Sequence, residues 1–232
     1  MNSLPHLLLL HGALGSEQQL TALRREMESS FNVHSLNFEG HGGSPSGRPF
    51  SMEGFVENVL AYLDANDLKS ANIFGYSMGG YVALQLARSH PERVEKIVTY
   101  GTKLDWSPEA SAKEVRMLNP DVIEEKVPKF AAHLKATHHP DHWRDVLAKT
   151  ADMMLDLGQR PRLTNSTFAE VSCPVLVCIG SEDQMVTLAE SQNAAEHLSQ
   201  GTLLELNGYV HPIERVDSKA LSKEVQAFLI GP

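Results

Sequence analysis

The chain of 232 residues has room for one large domain, or for a core carrying one sizeable insertion, and is long enough to bury a substantial interior. Its 42% hydrophobic and 21% charged residues are those of an ordinary globular protein, which excludes a disordered or low-complexity chain. The net charge of -9 is spread along the sequence and not gathered in a tail, which argues against DNA or RNA as a partner.

The first apolar run, Leu7-Leu8-Leu9-Leu10, is the length of a strand, far too short for a membrane span, and lacks the basic start and cleavage site of a signal peptide. A cytoplasmic location is expected. The next residues, His11-Gly12-Ala13-Leu14-Gly15, are small enough for a backbone to come close to a substrate oxygen. Ala13 N–H is the candidate oxyanion donor, with Leu14 as the fallback and as a candidate substrate contact. Read alone, the segment is also an ordinary βα turn.

Apolar residues at three- and four-residue spacing predict helices over Ser16–Ser30, Ser51–Asn66, Met78–Ser89, Thr187–Leu198 and Val216–Leu229, with Ser16, Ser51 and Thr187 as N-caps. Between them, short apolar runs predict strands at Val33–Phe38, Asn72–Gly75, Val94–Tyr100, Val175–Gly180 and Leu203–Leu206. Several are apolar nearly throughout, as strands covered on both faces must be. The expected fold is therefore α/β: a doubly wound, mainly parallel sheet of about six strands with helices on both faces.

The alternation stops after Tyr100 and resumes near Cys173. The intervening segments Glu109–Leu118, Asp121–Ala136 and Asp141–Leu157 read as helices separated by Asn119-Pro120 and His138-His139-Pro140. Residues 102–166 are thus expected to form a helical insertion above a core made of residues 1–101 and 167–232. His133, His138, His139 and His142, with Asp141, are the one cluster that raises a metal, but Pro140 interrupts the helical spacing two ligands would need; neither a metal nor another cofactor is expected. Cys173 and Cys178 are five apart in one strand, point to opposite faces, and are read as buried thiols.

The sharpest local pattern is Gly75-Tyr76-Ser77-Met78-Gly79-Gly80, where a strand ends and a helix begins. Such a G-x-S-x-G turn forces the serine outward in a strained conformation that leaves no space for side chains two residues to either side. The Met78 N–H, at the helix N-terminus, is placed to stabilise an oxyanion beside Ser77.

With these loops in place the sequence resembles the α/β-hydrolase family over nearly its whole length. Glu39-Gly40-His41-Gly42-Gly43-Ser44 looks like the family's loop after the second strand, with Asn37 where an aspartate is usual. Gly180-Ser181-Glu182-Asp183 resembles its acid turn and Gly208-Tyr209-Val210-His211-Pro212 its histidine loop. The resemblance implies a Ser77, Asp183, His211 triad, in which the imidazole takes the serine proton and the carboxylate fixes the imidazole tautomer and stabilises the imidazolium. Glu182 and Asp105 are the rival acids.

In this family a helical insertion caps the substrate pocket. Trp106, Met117, Phe130, Trp143, Met153 and Met154 are the residues of the insertion best suited to line it, although each also fits ordinary packing. Together they favour a small-molecule substrate with an apolar acyl or alkyl group. The implied reaction is hydrolysis of an ester or thioester; a carbon–carbon bond hydrolase follows, then the pyruvate-eliminating lyase of the menaquinone pathway, whose arginine after the elbow is replaced by Tyr81. A slow-turnover ligand sensor is the alternative from another class. Oligomeric state leaves no mark on the sequence.

Overall fold

The computed structural model describes residues 4–139 and 142–231. In chain order the elements are β1 (His6–Leu10), α1 (Thr21–Met27), β2 (Asn32–Ser35), α2 (Met52–Ala65), β3 (Ala71–Tyr76), α3 (Met78–Ser89), β4 (Val94–Tyr100), α4 (Pro108–Val115), α5 (Pro120–Lys126), α6 (Pro128–His138), α7 (Trp143–Gln159), α8 (Asn165–Phe168), β5 (Val175–Gly180), α9 (Leu188–His197), β6 (Gly201–Leu206) and α10 (Ser218–Ile230). The six strands form one parallel sheet in the order β2-β1-β3-β4-β5-β6.

Strand alternation divides the interior into two layers. On β1, Leu8 and Leu10 face the layer covered by α2 and α3, while Leu7 and Leu9 face the layer covered by α1 and α10. On β5 the split falls between Val175 and Val177 on one side and Leu176 and Cys178 on the other. Cys173 joins the first layer, so the two free, buried cysteines do lie on opposite faces. Burial pushes the Cys173 thiol up to about 11 and raises that of Cys178 as well.

Several boundaries differ from the sequence reading. β2 ends at Ser35, and Phe38 turns away to give its amide to His11 Nε2 at 3.2 Å. The first helix opens as a 3-10 turn over Glu17–Leu20 with no side-chain cap from Ser16, so α1 is confined to Thr21–Met27. Ser51 accepts from the Gly54 amide at 3.0 Å, and Thr187 closes a capping box with Glu190. The last helix starts at Ser218, capped by Asp217, rather than at Val216. The stretch expected to be one helix over Asp121–Ala136 is two, because Pro128 cannot donate and holds Val127 out of helical torsions. The short α8 was not foreseen; Thr164 caps it. Among the described residues no strand interrupts the helices between β4 and β5, and no helix is long and apolar enough to cross a membrane. Pro140 and Asp141 lie outside the described residues.

The connections leave β1 and β3 toward opposite edges of the sheet, and at such a switch point the loops after the strands diverge to open a crevice. The loop bearing Ala13 follows β1 and Ser77 follows β3, so both border it.

Candidate active site

Ser77 has φ 51° and ψ -115°, a left-handed conformation that a side-chain-bearing residue holds only under constraint. Its amide is donated to the Tyr100 carbonyl at 2.9 Å, which ties the turn to β4. The glycines around it answer steric needs: a Cβ on Gly75 would lie 2.5 Å from Gly80 Cα, and one on Gly79 would collide with the Leu10 carbonyl.

Asp183 and His211 come from loops after β5 and β6, and the His211 Nδ1 lies 2.8 Å from Asp183 Oδ2. Asp183 Oδ1 accepts the amides of Met185 and Val186 at 2.8 and 2.9 Å. Burial raises the carboxyl's pKa, but the hydrogen bond and charge of His211, with the two amides, outweigh it and hold the group below the usual carboxylate range. The histidine loop is braced by Tyr100, whose hydroxyl donates to the Val210 carbonyl at 2.6 Å. Gly101, with φ +59°, passes so close that a Cβ would stand 3.1 Å from His211 Nδ1. Neither rival acid takes the imidazole: Glu182 is exposed, and Asp105 is exposed and lines a separate depression beside Thr187 and Glu190.

Ser77 and His211 line one cavity with two lobes. The inner lobe is walled by Met52, Met78, Tyr81, Lys103, Trp106, Met153, Leu157 and Val186. The outer lobe is walled by Leu14, Gln19, Met117, Leu118, Phe130, His133 and Glu214. Ala13, Glu114, Met154 and Met185 border both. Of the residues expected to meet substrate, Leu14, Trp106, Met117, Phe130, Met153 and Met154 therefore lie on the cavity. Trp143 does not: it is 2% exposed and packs with Ile123, Ala131, Leu134 and Leu147 inside the helical layer, because it sits on the face of α7 turned toward α5 and α6. Lys103, Glu114 and Gln19 were not singled out from the sequence, and nothing in their local pattern distinguishes them; His133, read there only as part of the histidine cluster, lies on the outer lobe.

The loop carrying Ala13 is held on several sides. Gln19 Oε1 accepts the Gly12 amide at 3.2 Å, His11 Nδ1 donates to the Gly12 carbonyl at 2.8 Å, and the Gly15 amide closes the turn on that same carbonyl at 3.2 Å. Asn37 Oδ1 accepts the Glu17 amide at 2.8 Å, so this side chain anchors the following turn. His138 lies buried between this loop and the one at Gly42, and His139 and His142 stack edge to face at 5.6 Å. Among the described residues no three histidine, cysteine or carboxylate side chains are grouped as a metal ion would require.

Residues 5–150 match the family model described as alpha/beta hydrolase fold. A pimeloyl-[acyl-carrier protein] methyl ester esterase from Citrobacter koseri is 35% identical over 119 residues, which are 51% of this chain and 43% of that protein, so the match spans less than half of the relative's length. The enol-lactonase of Burkholderia xenovorans LB400 superposes with a TM-score of 0.82 at 20% identity, covering 99% of this chain and 92% of that one. NosK from Streptomyces actuosus gives 0.84 at 20% identity and covers 98% of both chains. The structural likenesses speak for the fold alone, whereas the family model spans more than half of the sequence: the chain belongs to the α/β-hydrolase fold family.

Proposed function

We propose that this chain is a serine hydrolase that cleaves an ester or thioester of a small, largely apolar acyl compound. The observation that carries the reading is the 2.8 Å pairing of His211 with Asp183 beside a cavity shared with the strained Ser77. In this reading His211 takes the Ser77 proton as Oγ attacks the acyl carbon, and Asp183 holds the imidazole in the required tautomer and balances its charge. The Met78 and Ala13 amides receive the oxyanion; Met78 opens α3, where the helix dipole adds to the effect. Collapse of the tetrahedral species expels the alcohol or thiol with the proton returned from His211. Water then releases the acyl group from Ser77 by the same steps.

The apolar wall of Met52, Trp106, Met153, Met154 and Leu157 supports an apolar acyl group. The name of the Citrobacter relative, an ester-cleaving enzyme, supports the bond type. A fluorophosphonate probe with peptide mapping, run beside a screen of acyl esters and thioesters, tests the reading. Labelling at Ser77 and sustained turnover of an acyl ester are expected. Labelling at Ser44 or Ser181 with none at Ser77 would overturn it.

A further inference from the structure

Helix α4 carries a carboxylate that ester cleavage leaves unused. Glu114 is 7% exposed, and its side chain has no hydrogen-bond or ion-pair partner among the described residues. It borders both lobes of the cavity, as Ser77 and His211 do. The backbone sets its direction. Ser111, one turn earlier on the same face of α4, packs against Gly158 of α7 so closely that a Cβ there would collide with the Ser111 hydroxyl. Glu114 is thereby held over the stretch of α7 that contributes Met153, Met154 and Leu157 to the cavity wall.

Its charge is not answered from within the cavity. Lys103 lies 3.9 Å from the Glu190 carboxylate and over the Trp106 ring at 5.8 Å, so its ammonium is already engaged. The outer lobe adds a second carboxylate, Glu214. The carboxylate oxygens of Glu114 stay open to the cavity, and a substrate that fills it strips their hydration and gives nothing in return unless it brings a partner. When a substrate fills such a site and expels water, a cation on that substrate restores what the carboxylate lost, and an anion meets a repulsion that the apolar wall screens poorly.

We infer that Glu114 is a specificity-determining residue that admits esters bearing a cationic nitrogen near the scissile bond and rejects esters bearing a carboxylate there. The inference rests on the esterase reading above. The test measures kcat/KM at pH 7 for 4-nitrophenyl glycyl, β-alanyl and 6-aminohexanoyl esters beside the propionyl, butyryl and heptanoyl esters, in which methyl replaces ammonium. Wild type, Glu114→Gln and Glu114→Leu are compared; dividing wild type by variant for each ester cancels differences in intrinsic reactivity. For at least one chain length that ratio should be tenfold or more larger for the ammonium ester than for its methyl partner. The pimelyl monoester, with carboxylate in place of ammonium, should move in the opposite direction. Both variants should melt near the wild type, since the Glu114 carboxylate has no hydrogen bond or ion pair to lose. Ratios equal within twofold at every length, with the methyl esters turned over, overturn the inference and leave the esterase reading intact; variants that melt lower assign Glu114 to packing and overturn it too. Absence of turnover for every ester, with no phosphonate on Ser77, removes the esterase reading and the inference with it.

Discussion

The imidazole of His138, at the end of α6, donates from Nε2 to the Leu14 carbonyl at 2.9 Å while its Nδ1 accepts the Gly42 amide at 3.1 Å. The two bonds fix the neutral tautomer and fasten the helical layer to the loop that presents Ala13. That loop is under constraint, since Leu14 sits at φ 60°. His138→Ala should cost roughly 1–3 kcal/mol by leaving two buried groups unpaired. On the proposed reading it should also lower kcat roughly tenfold with little change in KM, because the Ala13 amide would meet the oxyanion in the transition state and make no such contact in the ground state. His138→Gln, which keeps a donor and an acceptor, should recover part of the loss. A rise in KM with kcat unchanged would show that His138 shapes binding instead.

The torsions of Ser77 give a prediction in stability that is independent of activity. A residue held at φ 51° and ψ -115° stores about 1–3 kcal/mol, which glycine releases and alanine retains. Ser77→Gly should therefore be more stable than Ser77→Ala by about 1 kcal/mol after glycine's larger unfolded-state entropy is deducted. Both should be inactive and refuse the phosphonate. Equal denaturation midpoints would mean that the turn carries no strain.

Asp183→Asn should lower turnover by about four orders of magnitude while KM changes little, because an amide selects the wrong imidazole tautomer and cannot balance the imidazolium. Asp105→Asn and Glu182→Gln should be nearly silent, as neither reaches His211. Steady-state kinetics on the three variants decide it. A damaging Asp105→Asn beside a harmless Asp183→Asn would reverse the assignment of the acid.

The sheet was legible because its strands are buried on both faces and bounded by loops with distinctive glycines, as in the runs ending at Leu10, Tyr76 and Gly180. The Ser77 candidate followed from one short pattern, whereas Asp183 and His211 came from the resemblance to the family, whose chain order puts the acid and the histidine after late strands. What stayed hidden depends on contacts between distant segments. Periodicity marks the apolar face of α7 but not what it meets, so Trp143 and Met154 looked alike although one faces α5 and α6 and the other faces the cavity. Glu114 sits in a run of charged residues that reads as a solvated helix until α4 is seen packed on α7. The break at Pro128 was present in the sequence and is an ordinary consequence of proline chemistry.

His11, His41 and His138 form a buried group, with ring centroids of His11 and His41 5.2 Å apart and of His41 and His138 5.6 Å apart. Burial lowers all three; that of His11 falls from 6.5 to about 4, and His41 falls well below 6.5. Each stays neutral when folded and binds a proton near its ordinary value when unfolded. The unfolded state therefore takes up more protons as pH falls, and stability drops through the window from about 6.5 down to about 4. His11 alone contributes roughly 3 kcal/mol across it. Asp183, whose pKa is lowered, adds a further loss only below its ordinary value of 3.8. Urea denaturation at pH 7.0, 5.5 and 4.5, pH values set by about those limits, should show a steep fall; equal stabilities would mean that the three rings protonate without cost in the folded protein.

The final prediction separates the two faces of α7. Met154 borders both lobes beside Ser77, so Met154→Ala enlarges the space next to the reacting carbonyl. It should shift preference toward bulkier acyl groups, with about 1–3 kcal/mol of discrimination for each methylene-sized change in fit. Trp143 touches no part of the cavity; it fills the space between α5, α6 and α7 and carries Arg144 and Lys135 over its ring at 5.0 and 5.3 Å. Trp143→Ala should cost about 3–5 kcal/mol by leaving a large void. Its effect on rates should be one common factor for every ester, because it loosens the layer without reshaping the lobes. Specificity profiles over a series of acyl lengths, measured with thermal midpoints, distinguish the two. A changed acyl preference in Trp143→Ala, or a uniform loss of rate in Met154→Ala, would show that α7 presents the opposite face to the substrate.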